Sequence, residues 1–247
     1  MRLQIRNLCK DYATPVLRGL DLHVEAGAIH GIVGENGAGK TTLLKILSGL
    51  TSADAGTVLL DGKPLAAKNA KAAHRAGLSL CSQELSLIDN LSVAENICLR
   101  EMPGRLRLDR ATLDERCRDL LSIFRLDIAP DERVRNLNLA ERQMLELAKT
   151  LNSEARLLLL DEPTSALNEE QARALHAVLL ERAKNGASIL YVSHRLNDVL
   201  ELCDHVWVLR DGKVVHNAPS KALTVVELIR HMSGKETLAQ RLTEARC

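Results

Sequence analysis

The sequence has no apolar segment long enough to cross a membrane. None of its hydrophobic runs approaches the roughly 20 residues that span the hydrocarbon core of a bilayer. Residues 1–6 lack the apolar core of a secretory signal peptide. We therefore expect any role at a membrane to depend on a partner protein.

Charge and cysteine usage exclude further classes. A total of 33 Lys and Arg against 32 Asp and Glu gives a formal net charge of +1, which offers no electrostatic reason to expect binding to nucleic acid or an anionic membrane. The six cysteines are scattered, without a C-x-x-C pair or a zinc-like cluster, and indicate reduced thiols in a cytosolic protein. With 46% hydrophobic and 26% charged residues, the composition is that of a soluble globular protein.

One glycine-rich segment carries the clearest chemical signal. It fits the phosphate-binding pattern G-x-x-x-x-G-K-[ST] and extends over Gly34, Glu35, Asn36, Gly37, Ala38, Gly39, Lys40, Thr41 and Thr42. The glycines let backbone N–H groups turn inward as an anion-binding nest, and the following helix points its positive end at the same place. Lys40 would contact the β- and γ-phosphates, and Thr41 would offer its hydroxyl to Mg²⁺. A buried strand at residues 28–33 and a helix at residues 41–47 are predicted on either side, so we expect nucleotide binding here.

Two further strand ends carry groups that suit a magnesium–nucleotide site. The apolar run at residues 157–160 predicts a strand buried on both faces, and it ends in Asp161 and Glu162. We expect Asp161 to hold the metal ion through water and Glu162 to accept a proton from the attacking water. His194 follows an apolar strand at residues 188–192, where its imidazole could contact the γ-phosphate and hold Glu162 in register.

Strand and helix patterns alternate along the chain, which indicates the α/β class. Further strands are predicted at residues 3–8, 20–25, 58–60 and 205–209, and helices at residues 111–124 and 140–151. Asn168 and Gln171 are predicted to cap a helix that ends at Asn185 and Gly186. The helix-rich stretch from about residue 92 to residue 151 has the pattern of an inserted subdomain.

The motifs, taken in their order along the chain, resemble those of the ATP-binding subunits of ABC transporters. The resemblance extends over residues 3 to about 234. The resemblance implies that Tyr12 stacks on the adenine. It implies that Gln83 reaches both Mg²⁺ and the attacking water, beside Thr41 and Asp161 as metal ligands. The implied cofactors are ATP and Mg²⁺, and the implied catalytic residues are Glu162, His194 and Gln83.

The fold implied by the resemblance is an α/β P-loop NTPase core, in which helices flank a mostly parallel sheet. An antiparallel β subdomain and an inserted α-helical subdomain complete it. The ATPase domain would span residues 1–235, with the helical subdomain at about 86–153 and a polar tail at 236–247. Monosaccharide importers of this family often fuse two ATPase halves in one chain. This sequence is similar to the N-terminal half. A natural single-domain subunit and a piece of a longer protein both remain open.

The neighbourhood of Gln83 narrows the resemblance to one branch. Residues 82–87, 90–97 and 143–149 resemble importers of ribose, galactose, xylose and similar monosaccharides. Importers of autoinducers and nucleosides share these features, so the solute stays open. The implied partners are a membrane permease that contacts residues 84–99, through it a solute-binding protein, and a second ATPase domain. That second domain is either an identical copy or a sister half. The implied location is peripheral, on the cytoplasmic side of the inner membrane, without nucleic acid.

The family's signature, L-S-G-G-Q, is altered in this chain. Its positions are occupied by Leu137, Asn138, Leu139, Ala140 and Glu141. In the family this segment contacts the nucleotide of the opposite subunit, so Asn138 to Glu141 would bind ATP in trans. Ala140 adds a methyl group and Glu141 a negative charge near an anion, and we hypothesise a weakened signature. Two alternatives remain, namely a regulatory half-site with little hydrolysis and an ABC ATPase without a transport role.

Overall fold

The computed structural model describes residues 1–83, 85–98, 110–124 and 126–234, so the predicted tail at 236–247 lies outside the described residues. Within these ranges the strands are β1 Leu3–Asp11, β2 Pro15–Val24, β3 Ile29–Val33, β4 Ala55–Leu60, β5 Lys63–Pro64, β6 Leu78–Cys81, β7 Leu157–Asp161, β8 Ser188–Val192, β9 His205–Arg210 and β10 Lys213–Pro219. The helices are α1 Lys40–Leu47, α2 Ala70–Arg75, α3 Val93–Cys98, α4 Arg110–Ile123, α5 Leu139–Leu151, α6 Glu169–Lys184, α7 Leu196–Leu202 and α8 Val225–Ser233.

A six-stranded sheet forms the centre of the fold, in the order β10-β9-β3-β8-β7-β6. All neighbouring pairs are parallel except β10–β9, which is an antiparallel hairpin. Every residue of β3, β7 and β8 is buried, as their apolar sequences predict for strands covered on both faces. The predicted α/β class is confirmed. Because the strands run in parallel, the loops after β3, β7 and β8 meet at one edge of the sheet.

A second sheet is antiparallel and has the order β2-β1-β4-β5. Strand β1 buries Leu3 and Ile5 by alternation, and a shift of register after Ile5 buries Leu8 as well. These side chains share a hydrophobic cluster with Leu43 and Leu47 of α1. The small sheet therefore packs against the helix that follows the glycine-rich loop.

Helices α3, α4 and α5 pack against one another through a continuous apolar cluster. Met144, Leu147, Ala148 and Leu151 form an apolar stripe on α5, at helical spacing, and are buried there. Helices α4 and α5 correspond to the helices predicted at residues 111–124 and 140–151, and α3 lies in the same helix-rich stretch. Residues 126–133 are not helical, because this stretch contains Pro130 and Arg133 forms a strand bridge with Ser92.

The predicted caps of α6 are present. Asn168 accepts a hydrogen bond from the Gln171 N–H, the Gln171 side chain accepts from the Asn168 N–H, and the helix ends at Asn185 before Gly186 with φ +89°. Strand β6 and helices α2, α7 and α8 were not predicted. Among the residues described, no helix has the length and apolar character that a membrane crossing requires.

Candidate functional site

The glycine-rich loop connects β3 to α1 and is shaped by two kinds of glycine. A Cβ on Gly34 would lie 2.3 Å from the Leu209 carbonyl oxygen, so the start of the loop packs directly against β9. Gly37 and Gly39 instead have φ angles of +86° and +103°, in the region that favours glycine. Since Gly39 is the N-cap residue of α1 and has no side chain, the first-turn N–H groups are left to an outside acceptor.

The Lys40 ammonium group lies inside the curve of this loop. Its Nζ donates to the carbonyl oxygens of Gly34 at 2.6 Å and Glu35 at 3.0 Å. Burial lowers the pKa of Lys40, and the nearby Glu162 and Asp161 carboxylates oppose this effect. The loop therefore holds a cation beside backbone donors, as a polyphosphate requires.

Thr41 and Asp161 bring two oxygens together where α1 meets the end of β7. The Thr41 hydroxyl donates to Asp161 Oδ2 at 3.2 Å. Burial raises the pKa of the Asp161 carboxyl, and the hydrogen bond from Thr41 opposes that change. Hard oxygen donors of this kind are the ligands that Mg²⁺ takes from proteins, usually together with phosphate oxygens and water. The pair thus fits the metal predicted from the sequence.

Glu162 and His194 meet at the adjacent strand ends. Glu162 has φ +52°, an uncommon conformation for a residue with a side chain, and it follows directly on β7. Its Oε2 accepts from the His194 backbone N–H at 3.2 Å and lies 2.7 Å from His194 Nδ1. The His194 side chain is 68% exposed, whereas that of Glu162 is 15% exposed. The imidazole therefore contacts the carboxylate on one side and faces solvent on the other.

One cleft of about 380 Å³ gathers most of the predicted site. Its lining consists of Tyr12, Val16, Asn36, Gly37, Gly39, Lys40, Thr41, Thr42, Gln83, Asp161 and Glu162. Three loop residues predicted to bind the nucleotide do not line it: Gly34 and Ala38 are buried in the loop itself, and Glu35 is exposed. Glu35 contributes its backbone carbonyl oxygen to the loop, where this oxygen accepts a hydrogen bond from Lys40.

Sequence reasoning missed the residues that surround Tyr12. The Tyr12 ring is 56% exposed, and the Lys10 Nζ lies 5.4 Å from its centre. Asp54 fixes Lys10 with an ion pair of 2.9 Å, and Val16 lines the cleft nearby. Lys10 is the penultimate residue of β1, and Tyr12 follows directly after the last one, Asp11. Their spacing of two residues was a usable signal, because side chains two apart in extended backbone lie on the same side. No sequence signal pointed to Val16 or Asp54.

The altered signature forms the N-terminus of α5. Asn138 Oδ1 accepts from the Glu141 N–H at 3.0 Å, and the Glu141 carboxylate accepts from the Asn138 N–H at 2.8 Å. Two of the departures from the family pattern, Asn138 and Glu141, thus form a capping box. Leu139 is 67% exposed beside them. Among the described residues, neither these three nor Ala140 lines the cleft, so they belong to a separate surface.

The comparisons with known proteins agree with this geometry. A family model described as ABC transporter matches residues 17–165. The putative ribose/galactose/methyl galactoside import ATP-binding protein 1 of Burkholderia ambifaria is 41% identical over 94% of this chain and 46% of its own length. Ribose import ATP-binding protein RbsA 1 of Rubrobacter xylanophilus is 40% identical over 98% of this chain and 49% of its own length. This chain spans about half the length of the curated relatives it matches.

A solved structure supports the same assignment. An ATP-binding subunit of an ABC transporter matches with a TM-score of 0.79 at 25% identity, and the match covers 100% of both chains. This likeness confirms the predicted P-loop NTPase fold. The family model covers more than half of the sequence, including the glycine-rich loop and the acidic pair. The chain belongs to the ABC transporter family and forms one of its ATP-binding domains.

Proposed function

We propose that this chain binds ATP with Mg²⁺ and hydrolyses it, and that hydrolysis drives import of a monosaccharide through a partner permease. The observation that carries the proposal is the meeting of Lys40, the Thr41–Asp161 pair and Glu162 at one cleft. His194 does not line this cleft but contacts Glu162 at its edge. The names of the relatives, which refer to import of ribose, galactose and methyl galactoside, favour a sugar as the solute.

The residues named here would each have a separate role in the hydrolysis of ATP. Thr41 and Asp161, with help from Gln83, would hold an Mg²⁺ ion, and the ion would supply positive charge to the phosphate oxygens. Lys40 and the N–H groups of the loop would bind the phosphates. Glu162 would take a proton from water as the water oxygen bonds to the γ-phosphorus, while the bond from phosphorus to the β–γ bridging oxygen breaks. His194 would orient Glu162.

A second ATPase domain would complete the site. In this proposal residues 1–235 form the ATPase domain, and residues 86–153 its helical part. The signature segment from Asn138 to Glu141 and the loop at residues 165–168 would face the partner domain. Leu139 and Asn138 are both exposed, and Asn138 is hydrogen-bonded to Glu141. Their position on an open surface supports this role. The Glu141 carboxylate would then lie near the partner's nucleotide and weaken that contact.

The permease would dock beside the helical part, on the cytoplasmic face of the membrane. A cavity of about 400 Å³ supports this location, since it lies between α2, α3, α4 and α5 and is lined by His74, Ile97, Arg116, Lys149, Asn152, Ser153 and Glu154. The predicted groove at residues 84–99 adjoins it through Ile97, although Glu84 and Leu99 lie outside the described residues. A solute-binding protein would act through the permease.

Reconstitution with a permease and a solute-binding protein encoded beside the gene tests the proposal. Vesicles that contain ATP should take up the monosaccharide, and Lys40→Ala should abolish uptake because the ammonium group no longer reaches the phosphates. Uptake should not occur when a non-hydrolysable ATP analogue replaces ATP. ATP hydrolysis without uptake would favour the ABC ATPase without a transport role. ATP binding without hydrolysis or uptake would favour the regulatory half-site.

A further inference from the structure

We propose that Asp198 and Arg195 are positioning residues that hold the Glu162 loop and the His194 loop in register. The inference rests on the proposed function, because it gives these residues a part in ATP hydrolysis. Neither residue lines the cleft among the residues described. They would act through Glu162 and His194, which do the chemistry.

Asp198 joins the two loops through a single oxygen atom. Its Oδ2 accepts from the Thr164 hydroxyl at 3.1 Å, two residues after Glu162. The same Oδ2 lies 3.3 Å from Nε of Arg195, the residue after His194. The carboxylate therefore connects the segment after β7 with the segment after β8.

Arg195 makes a second connection between the loops. Its Nη1 donates to the Thr164 carbonyl oxygen at 3.3 Å, and its backbone N–H donates to the Ser193 hydroxyl at 3.0 Å. Thr164 and Ser193 are buried, whereas the Asp198 side chain is 15% exposed. Charged groups in partly buried positions form stronger hydrogen bonds than they do in open water. The contact of Asp198 and Arg195 with Thr164, called the positioning contact below, is therefore held by a buried residue in each loop.

The Glu162–His194 pair needs such support for two reasons. The His194 side chain is 68% exposed, so it contacts Glu162 on one side and solvent on the other. Glu162 adopts a left-handed backbone conformation that the surroundings must maintain. Thr164 follows Glu162 by two residues and Arg195 follows His194 directly, so a shift of either loop would change the 2.7 Å separation of His194 Nδ1 and Glu162 Oε2. A displacement of about 1 Å is enough to slow catalysis roughly 10²-fold.

The test compares Asp198→Asn and Arg195→Gln with Arg173→Gln. Arg173 is a matched control, because its ion pair with Glu169 at 3.8 Å lies within α6, both side chains are largely exposed, and the pair joins no loops. We expect both variants at the contact to lower kcat for ATP at least about tenfold while the KM changes less than about twofold. The control variant should match the wild type in both constants.

Two further measurements separate positioning from simple loss of structure. In a His194→Ala background, Asp198→Asn should lower kcat by less than about twofold, since the Glu162–His194 pair that it holds in register no longer exists. An equal loss in both backgrounds would overturn the proposal. Amide exchange of the His194 N–H, which donates to Glu162, should be at least about tenfold faster in Asp198→Asn than in the wild type.

The exchange measurement also separates this proposal from the proposed function. If the wild type hydrolyses no ATP but the His194 N–H still exchanges faster in Asp198→Asn than in the wild type, the proposed function is refuted and the positioning contact stands. Unchanged exchange, together with normal turnover by the wild type and by Asp198→Asn, would refute the positioning contact alone. A urea midpoint equal to that of the wild type would show that each variant is folded.

Discussion

Gly34 and Gly37 lie in one loop but should respond differently to alanine. A methyl group on Gly34 would lie 2.3 Å from the Leu209 carbonyl oxygen and 3.1 Å from the Ala38 Cβ. Both neighbours are fixed, one in the backbone of β9 and the other in the loop itself. The loop must therefore move away from the sheet, and overpacking of this kind costs about 3 kcal/mol. For a chain of this size the Tm should fall by roughly 6–12 °C.

Gly37→Ala is the matched comparison. Among the described residues, apart from the two chain neighbours of Gly37, none has an atom within 4 Å of a Cβ at this position. The substitution therefore adds no clash there and only places alanine at φ +86°. That conformation costs about 1–2 kcal/mol for a residue with a side chain. Urea unfolding followed by circular dichroism should rank stability as wild type, Gly37→Ala, Gly34→Ala. If Gly34→Ala unfolds at the same urea concentration as the wild type, the close packing of the loop against β9 is wrong.

Two other predictions concern His30 and the signature. Burial lowers the pKa of His30 from 6.5 to about 4. Between these pH values the unfolded chain binds a proton on His30 that the folded chain does not, so the free energy of unfolding should fall by about 3 kcal/mol as the pH drops from 6.5 toward 4. His30→Gln, which can still accept from Trp207 Nε1, should flatten this dependence in urea midpoints, and an unchanged slope would contradict the assignment. Asn138→Ser should raise ATP turnover, because a serine hydroxyl can cap α5 and also donate to a phosphate. No gain would count against a weakened signature.

The buried strands and the chemical motifs could be predicted because each has a local signal. The apolar runs of β3 and β7 are long enough to indicate strands covered on both faces. Polar groups directly after such strands, such as Asp161, must lie at the carboxyl edge of a parallel sheet. Strand β6 gave a weaker signal, since it has only four residues and includes the buried Ser79.

Contacts that depend on register could not be predicted. Thr164 and Asp198 are 34 residues apart, and they meet only because β7 and β8 pair with Asp161 opposite Val192. The capping box of α5 is different, because its pattern was visible in the sequence. Asn138 and Glu141 have the same spacing as the cap of α6, but they were interpreted only as losses from the family signature.

ATP turnover and ATP binding by Glu162→Gln test the central claim most directly. The amide is close in size to the carboxylate but cannot take a proton from water, so hydrolysis should fall by about 10²–10⁴-fold. ATP affinity should stay within about threefold of the wild type, because Lys40 and the glycine-rich loop, which would bind the phosphates, are unchanged. Turnover at the wild-type rate would contradict the assignment of Glu162 as the base.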